Sequence, residues 1–263
     1  MVVNVYSYIK GGNMKRIVYL LLIIIMMPTY VSADTFDTDE YIVASNTRYF
    51  KTITRTKPSV NVIANNNSDI IETTTIEISE EEYNSVSNDT LYQPLSTAVE
   101  TTYKRLTSNI SKSGSQYKYT AILSWKNVPK VRSYDILGIG YLPSVKIDGD
   151  ITFTQKYCND GNCTTSTSFT SKKTSTGCSA IFKLPSSTID TLEQRMSFLV
   201  EKNTSYNIVS QVAAGDYAHA TSTVTQSNAQ NHTISESGLS LKTSIFNSYD
   251  TISTAKATWS GTW

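Results

Sequence analysis

The sequence predicts a mainly β protein: an antiparallel β-sandwich or distorted barrel with one or two short helices, following a cleaved signal peptide. Serine and threonine supply 35 and 36 of the 263 residues, with 18 asparagines and 17 tyrosines. This composition suits strands with one solvated face and polar turns. The hydrophobic content of 39% argues against disorder, and the charged content of 17% excludes a coiled coil. Short alternating segments between turn signals, roughly every 8–12 residues, favour a sandwich or barrel.

The N-terminus carries an export signal. Met14-Lys15-Arg16 precedes the unbroken apolar run Ile17–Met27, and Val31-Ser32-Ala33 follows it. This pattern predicts a signal peptide over residues 1–33, cleaved between Ala33 and Asp34. The run of 11 residues is too short for a membrane span, which needs about 20. We therefore expect a secreted, extracellular protein without a transmembrane anchor.

The residues before Met14 fit poorly into a signal peptide. Lys10-Gly11-Gly12-Asn13 can be encoded as a bacterial ribosome-binding sequence directly upstream of an ATG codon. We therefore predict that translation starts at Met14 and that residues 1–13 are a mis-assigned start. The alternative is an extended basic region of the signal peptide. The same sequence indicates a Gram-positive bacterial source.

The charge of the mature chain excludes one class of partner. Removing residues 1–33 leaves 20 basic and 22 acidic residues, and therefore a formal charge of −2. A nearly neutral exported chain lacks the basic surface that attracts nucleic acid or anionic lipid. We expect no nucleic-acid partner.

Residues 34–97 carry the weaker structural signals. Glu72–Ser79 has the composition of a polar Thr/Ile strand, and Asn65-Asn66-Asn67 is typical of a loop. Ser79 and Glu82 form a possible capping box that opens a short helix around Glu80–Val86. Because no apolar core is evident, we predict a poorly structured or accessory N-terminal region.

Residues 98–263 are predicted to form the β-rich domain. Between Tyr117 and Trp125, large apolar residues fall at every second position, which is the period of a half-buried strand. Thr101–Ile110 precedes this strand across Ser113-Gly114-Ser115, as in a hairpin. Further strands are predicted at Tyr134–Tyr141, Val145–Ile147, Ile151–Tyr157, Cys178–Leu184, Met196–Glu201, Tyr206–Val212, His219–Val224 and Ala255–Trp259.

Two turns and one further helix complete the predicted elements. Asp148-Gly149 and Asp160-Gly161 have the sequence of tight hairpin turns. Ser187–Arg195 is the remaining segment that suits a short helix. No internal repeat is evident.

The mature chain keeps three cysteines, Cys158, Cys163 and Cys178. The first two flank an Asn-Asp-Gly-Asn turn, and facing Cβ atoms of a hairpin lie near the separation that a disulfide needs. We predict a Cys158–Cys163 disulfide that leaves Cys178 free, with Cys163–Cys178 as the alternative. The chain has neither C-x-x-C nor nearby His spacing, so no metal site is predicted.

The enzymatic alternative rests on Cys178 as nucleophile and His219 as base. Cysteine followed by histidine is an order that recurs among secreted peptidases, and thiol activation needs such a base. However, Cys178 lies at the predicted start of a strand, without the cationic neighbour or helix N-terminus that activates a thiol. No G-x-S-x-G, H-E-x-x-H, P-loop or dinucleotide motif occurs. We expect a protein that is not an enzyme, with no catalytic residue and no cofactor.

Two resemblances agree with this interpretation. Trp125, Pro129 and Tyr134 resemble the B-to-C strand segment of a fibronectin type III domain, where a core Trp precedes a core Tyr by nine residues. A wider pattern over roughly residues 100–263 is similar to a group of uncharacterised secreted β-rich proteins of Gram-positive bacteria. That resemblance implies one β-rich secreted domain and no particular activity. Its segments are Trp125–Ile139, Phe182–Pro185, Gly215–Ala220 and Tyr249-Asp250.

The sequence therefore favours a secreted, non-enzymatic protein that binds at the cell envelope or an extracellular surface. Strands rich in Tyr, Asn and Ser combine rigid aromatic contacts with adaptable hydrogen bonds, and cell-wall glycan or a surface protein is the expected partner. One alternative is a membrane-attacking β protein whose pore hairpin is Thr164–Thr176. Phe169 is the one large apolar residue there, fewer than a lipid-facing band needs. The other alternative is a cysteine-dependent envelope hydrolase that uses Cys178.

Overall fold

The computed structural model describes residues 40–57, 70–86 and 99–263. The predicted signal peptide, its cleavage site at Ala33 and Asp34 and the predicted start at Met14 lie outside these residues. The described chain forms strands and short helices in this order: β1 (Tyr41–Lys57), β2 (Ile70–Ile78), α1 (Glu80–Ser85), β3 (Val99–Ser113), β4 (Gln116–Trp125), β5 (Tyr134–Tyr141), β6 (Val145–Asn159), β7 (Asn162–Ser166), β8 (Thr170–Thr174), β9 (Gly177–Lys183), β10 (Thr191–Lys202), β11 (Ser210–Ala220), α2 (Gln226–Ala229), β12 (His232–Ser235), β13 (Gly238–Leu241), α3 (Thr243–Phe246), β14 (Tyr249–Thr251) and β15 (Ala255–Ser260).

The strands form an antiparallel β-sandwich, which confirms the predicted fold class. A seven-stranded sheet has the order β2-β1-β3-β4-β10-β6-β7. It packs against a six-stranded sheet of order β14-β11-β5-β9-β8, in which β15 also pairs with β11. Strands β12 and β13 form a separate hairpin. None of the short helices in this part of the chain has the length and apolar sequence required to cross a bilayer.

The space between the two sheets holds the large aromatic core. The alternation predicted for β4 is confirmed, because Tyr117, Leu123 and Trp125 all point inward and are at most 3% exposed. Tyr217 and Phe182 face them from the six-stranded sheet and are equally buried. We call this side of the six-stranded sheet its inner face.

The opposite side of the six-stranded sheet, its outer face, is also buried. Residues 224–249, here called the covering layer, lie over it and contain α2, β12, β13 and α3. Glycines let this layer approach closely: a Cβ on Gly140 would lie 1.6 Å from the carbonyl oxygen of Ser235. A Cβ on Gly177 would lie 3.0 Å from Ile234. Burial on both faces explains why nearly every residue of β5 and β11 is inaccessible.

The strands described within residues 34–97, β1 and β2, belong to the seven-stranded sheet. Strand β1 pairs with β2 on one edge and with β3 on the other, so the seven-stranded sheet continues across the predicted boundary at residue 97. All described residues lie in one structural unit, Asp39–Trp263. Among the described side chains of β1, Phe50 and Thr52 are the buried ones, and Phe50 alone of these is apolar. The sequence of β1 therefore shows little of the apolar pattern that marks a core strand.

One predicted helix is present and the other is wrong. Helix α1 begins after Ser79, whose Oγ accepts a hydrogen bond from the Glu82 backbone N–H at 3.1 Å. Ser187–Arg195 instead runs through a loop into β10, where Leu192 and Gln194 point inward at every second position. Burial with a period of two overrides the helical preference of Glu, Gln and Arg in this segment.

The two predicted turns also differ. Asp160-Gly161 forms the tight turn of the β6–β7 hairpin, with positive φ angles of 48° and 78°. Asp148-Gly149 does not form a hairpin turn. It lies inside β6, where the register with β10 shifts between Ser197 and Leu199, so the glycine at φ 77° makes a bulge.

The structure has one strand where the sequence predicted two, at Tyr206–Val212 and His219–Val224. A single strand, β11, covers Ser210–Ala220 and includes the small residues between them. At Gly215 an added Cβ would lie 3.3 Å from the Cβ of Ser108 on the facing sheet. Close packing between the sheets therefore explains the small residues that interrupt the apolar pattern.

Candidate functional site

The predicted disulfide is present at one edge of the seven-stranded sheet. Cys158 and Cys163 are opposite residues of the β6–β7 hairpin, with their Cα atoms 4.1 Å apart. This confirms the first predicted pairing and excludes Cys163–Cys178, because Cys178 is free and buried. The bond cross-links the two strands of this hairpin at the edge of the sheet.

The structure does not bring Cys178 and His219 together. Cys178 lies opposite Ile139, which in turn lies opposite Gly215 of β11. His219 is four residues further along β11, which separates the two side chains by about 13 Å along the strand direction. Burial raises the pKa of the Cys178 thiol well above its usual value. This pair therefore lacks the geometry of a nucleophile and its base.

The Ser/Thr-rich stretch proposed for a pore hairpin is divided between the two sheets. Its first part lies in β7, at the edge of the seven-stranded sheet, and its second part is β8, at the edge of the six-stranded sheet. Phe169 between them packs on Phe153, with ring centroids 5.3 Å apart. Thr164–Thr176 thus connects the two sheets in this structure and does not form a hairpin of its own.

A buried ion pair between the sheets was missed by sequence reasoning. Lys104 of β3 is 0% exposed, and its Nζ lies 2.8 Å from Oδ2 of Asp250 on β14. The hydroxyls of Thr75 and Thr52 donate to the same oxygen, at 2.6 and 3.4 Å. A sequence signal existed, since Lys104 shares the inward positions of β3 with Leu106.

A second buried carboxylate lies next to this pair. Asp135 accepts hydrogen bonds from the Tyr217 hydroxyl and from the Ala220 backbone N–H, the latter at 2.9 Å. Nδ1 of His219 lies 3.1 Å from the same carboxylate. Burial and then the charge of Asp135 raise the pKa of Tyr217. Several donors therefore hold the Asp135 carboxylate on the inner face, and the Trp125 ring packs edge-on against two of its neighbours, Tyr217 and His219.

Ser179 and His232 form a hydroxyl–imidazole pair beneath the covering layer. The Ser179 Oγ lies 2.7 Å from Nε2, and Nδ1 lies 2.7 Å from the Ala229 carbonyl oxygen. The carbonyl requires a proton on Nδ1, so Nε2 accepts from the hydroxyl. Burial lowers the His232 pKa to about 4. Both residues are 0% exposed, so this pair packs the layer onto the sheet and offers no surface to a substrate.

Exposed aromatic and aliphatic side chains gather at one end of the sandwich. Tyr206 and Val209, in the loop between β10 and β11, are 79% and 69% exposed. Tyr41 and Ile42, at the start of β1, are 58% and 60% exposed. Two tryptophans near the C-terminus, Trp259 and Trp263, are partly buried and pack against the core. We call this surface the aromatic end; its residues are Tyr41, Ile42, Tyr206, Val209, Trp259 and Trp263.

Ring contacts and strand register hold the aromatic end together. Tyr41 lies opposite Lys112, whose Nζ is 5.4 Å from the centroid of the Tyr117 ring. The Tyr117 ring lies 5.2 Å from that of Trp259 and 4.7 Å from that of Trp263. Both tryptophan rings therefore pack against the buried ring of Tyr117.

Backbone hydrogen bonds fix the exposed loop to the C-terminus. Ile208 and Trp263 exchange two hydrogen bonds, of 3.0 and 2.9 Å, and Gly261 donates to the Val209 carbonyl at 3.1 Å. The loop also carries amide and hydroxyl side chains around Tyr206, at Asn203, Thr204, Ser205 and Asn207. The loop thus presents exposed apolar side chains with polar neighbours in the chain, on a backbone that is fixed to the C-terminal segment.

Among protein families, curated proteins and solved structures, only the solved structures include a match to this chain. No protein-family model matches the chain, and no curated protein matches it. Among solved structures, the chain is similar to the full-length major pilin SpaD from Corynebacterium diphtheriae, with 8% sequence identity and a TM-score of 0.25. The likeness covers 65% of this chain and 56% of the pilin chain, so the chain spans little more than half of the pilin's length.

Proposed function

We propose that this protein is an exported, non-enzymatic β-sandwich that binds cell-wall glycan through its aromatic end. The observation that carries the proposal is the exposure of Tyr206 and Val209 next to Trp263 on a fixed frame. Contiguous apolar surface with a polar rim marks binding surfaces of soluble proteins. Aromatic side chains offer a large contact area at a low cost in conformational entropy.

The rigidity of this surface supports a binding role. Trp263 is held by its backbone bonds to Ile208 and by the ring of Tyr117. A surface that is ordered before binding loses little conformational entropy when the complex forms. The amide of Asn207 follows Tyr206 in the chain and is exposed, and it suits the hydroxyl groups of a sugar that stacks on the aromatic ring. The amide nitrogen of Asn203 instead donates to the Pro143 carbonyl at 3.1 Å, which helps to fix the loop.

Two further features support an extracellular place of action. The predicted signal peptide would direct the chain out of the cell. The Cys158–Cys163 disulfide is of a kind that persists in oxidising, extracellular surroundings.

Sedimentation with purified Gram-positive cell wall tests the proposal. We expect the wild-type protein to be retained and Tyr206→Ala to bind about tenfold more weakly, as for a residue that contributes about 1.4 kcal/mol at an interface. Tyr206 is mostly exposed, so its truncation leaves the fold intact. Phe246→Ala is the matched control, because Phe246 is 61% exposed but belongs to α3 in the covering layer.

Two outcomes would overturn the proposal. One is the absence of retention on the wall. The other is retention that Tyr206→Ala and Phe246→Ala weaken equally. Retention that disappears when wall proteins are stripped, and not when the glycan is digested, would assign the surface to a protein partner instead.

A further inference from the structure

The Lys104 amine lies in an environment that is unusual for lysine. On the seven-stranded sheet its cross-strand neighbours are Phe50 and Trp125, both buried. Its Nζ is 5.1 Å from the centroid of the Trp125 ring and 5.9 Å from that of Tyr217 on the facing sheet. Aromatic rings from both sheets therefore surround an amine that is 0% exposed.

Asp250 meets this amine from the other sheet. Its side chain is 9% exposed, and its Oδ2 lies 2.8 Å from Nζ. The residue is fixed in β14 by pairing with His219 of β11, and the neighbouring Tyr249 hydroxyl donates to the Tyr134 carbonyl at 2.8 Å. The two reacting groups are thus held in contact by two separate sheets.

We propose that Lys104 and Asp250 condense to an intramolecular amide that links the two sheets covalently. The ammonium first transfers one proton to the carboxylate, giving an amine and a carboxylic acid. The Nζ lone pair then forms a bond to Cγ of Asp250. The Cγ–O bond to the hydroxyl breaks, and a second Nζ proton leaves with that hydroxyl as water. One C–N bond forms, one C–O bond breaks, and the reaction needs no oxidant or cofactor.

Burial makes this condensation favourable here. Two charges removed from water pay a large desolvation cost that their attraction only partly offsets, and an amide replaces both charges with a neutral group. Fixed contact also replaces a bimolecular encounter, and in well-oriented reactions this acts like an effective concentration of about 10⁵–10⁸ M. The hydroxyl of Thr75, 2.6 Å from Oδ2, is placed to pass a proton to the leaving oxygen.

The molecule contains a matched pair that should not react. Lys146 and Glu201 approach equally closely, with Nζ 2.8 Å from Oε1, but their side chains are 54% and 49% exposed. Water stabilises both charges there and hydrates the carboxylate. Because both contacts measure 2.8 Å, a comparison of the two pairs separates the effect of burial on the reaction from the effect of distance.

Mass spectrometry of the denatured and reduced wild-type protein tests the proposal. We expect a mass that is lower than the sequence mass by one water. Digestion should give a branched peptide that joins the segments of Lys104 and Asp250, whereas the Lys146 and Glu201 peptides should remain separate. A wild-type protein at its full sequence mass would overturn the proposal, as would a missing water located elsewhere.

Variants assign the missing water to this pair. Asp250→Ala and Lys104→Met should both have their full sequence masses, while Glu201→Gln should still lack one water. Asp250→Asn should lose ammonia instead of water and reach the same final mass as the wild type. A missing water that persists in Asp250→Ala would contradict the proposal. If the Lys104 or Asp250 variants do not fold, the wild-type and Glu201→Gln masses still decide.

Discussion

The two faces of the six-stranded sheet bury their ionisable groups with different partners. On the inner face, Lys104 meets the opposite charge of Asp250. On the outer face, His232 and Asp216 meet neutral groups: the Ser179 hydroxyl and the Thr254 hydroxyl, respectively. Burial lowers the pKa of His232 to about 4 and raises that of Asp216 to about 6. The Lys104–Asp250 pair thus brings two opposite charges together on the inner face, whereas burial of His232 and Asp216 on the outer face favours their neutral forms.

The side chains that surround these groups differ in size as well. Large rings such as Trp125 and Tyr217 fill the space between the two sheets. The outer face uses glycine and alanine, so that the backbone of the covering layer approaches the sheet directly. The inner face should therefore be most sensitive to the loss of a charge, and the outer face to the addition of an atom.

The largest effect is expected when the inner face loses one charge. Asp250→Ala leaves the Lys104 amine buried without the carboxyl partner that neutralises it, as an ion pair or as an amide, which costs about 3–5 kcal/mol of unfolding free energy. Denaturant titration at neutral pH measures this loss. Glu201→Ala removes the partner of the exposed Lys146 and should cost less than about 1 kcal/mol. Equal losses in the two variants would show that the Lys104–Asp250 pair does not stabilise the inner face.

A smaller effect is expected when the outer face gains one methyl group. In Gly140→Ala, the new Cβ would meet the Ser235 backbone oxygen at 1.6 Å, so the β12–β13 hairpin must shift, at a cost of about 3 kcal/mol. In Gly138→Ala, the nearest atom is Cδ1 of Ile234 at 2.9 Å. A flexible side chain can move, so the cost there should be about 1 kcal/mol. Denaturant titration and proteolysis of the covering layer measure the difference, and a greater loss in Gly138→Ala would contradict this packing.

The sequence predicts the seven-stranded sheet better than the six-stranded sheet, for a physical reason. Strands with one solvated side leave an alternating pattern, and β4 was placed correctly from Tyr117 to Trp125. Strand β11 is buried on both sides, so its alternation disappears and Ser210–Ala220 was divided into two strands. Helices α2 and α3 have four residues each, too few for a periodic signal.

The buried polar groups were less accessible to sequence reasoning than the strands. The position of Lys104, two residues from Leu106 in an alternating strand, could have been identified from the sequence. Its partner could not, because Asp250 lies 146 residues away and on the other sheet. The Cys158–Cys163 bond was predictable because both cysteines belong to one hairpin. Local pairings follow from the sequence, while contacts between sheets depend on the completed fold.

A third effect depends on pH, and it disappears in acid. Burial raises the Asp216 pKa from 3.8 to about 6, although the Thr254 hydroxyl donates to Oδ1 at 2.7 Å. The folded protein therefore binds this proton more tightly than the unfolded chain does, and Asp216 reduces stability as the pH rises from about 4 through about 6. One pKa unit corresponds to 1.36 kcal/mol, so Asp216→Asn should gain about 2–3 kcal/mol over the wild type at pH 8 and almost nothing at pH 4.

Measuring that difference as a function of pH removes other contributions. The lowered pKa of His232 acts in the opposite direction, since it reduces stability as the pH falls from about 6.5 towards about 4. His232 is present in both the wild type and Asp216→Asn, so its contribution cancels when their unfolding free energies are subtracted. A difference that stays constant between pH 4 and pH 8 would mean that Asp216 does not titrate on the outer face in this range. A difference that grows with pH would confirm that burial disfavours the charged form of Asp216, whose hydroxyl partner Thr254 is neutral.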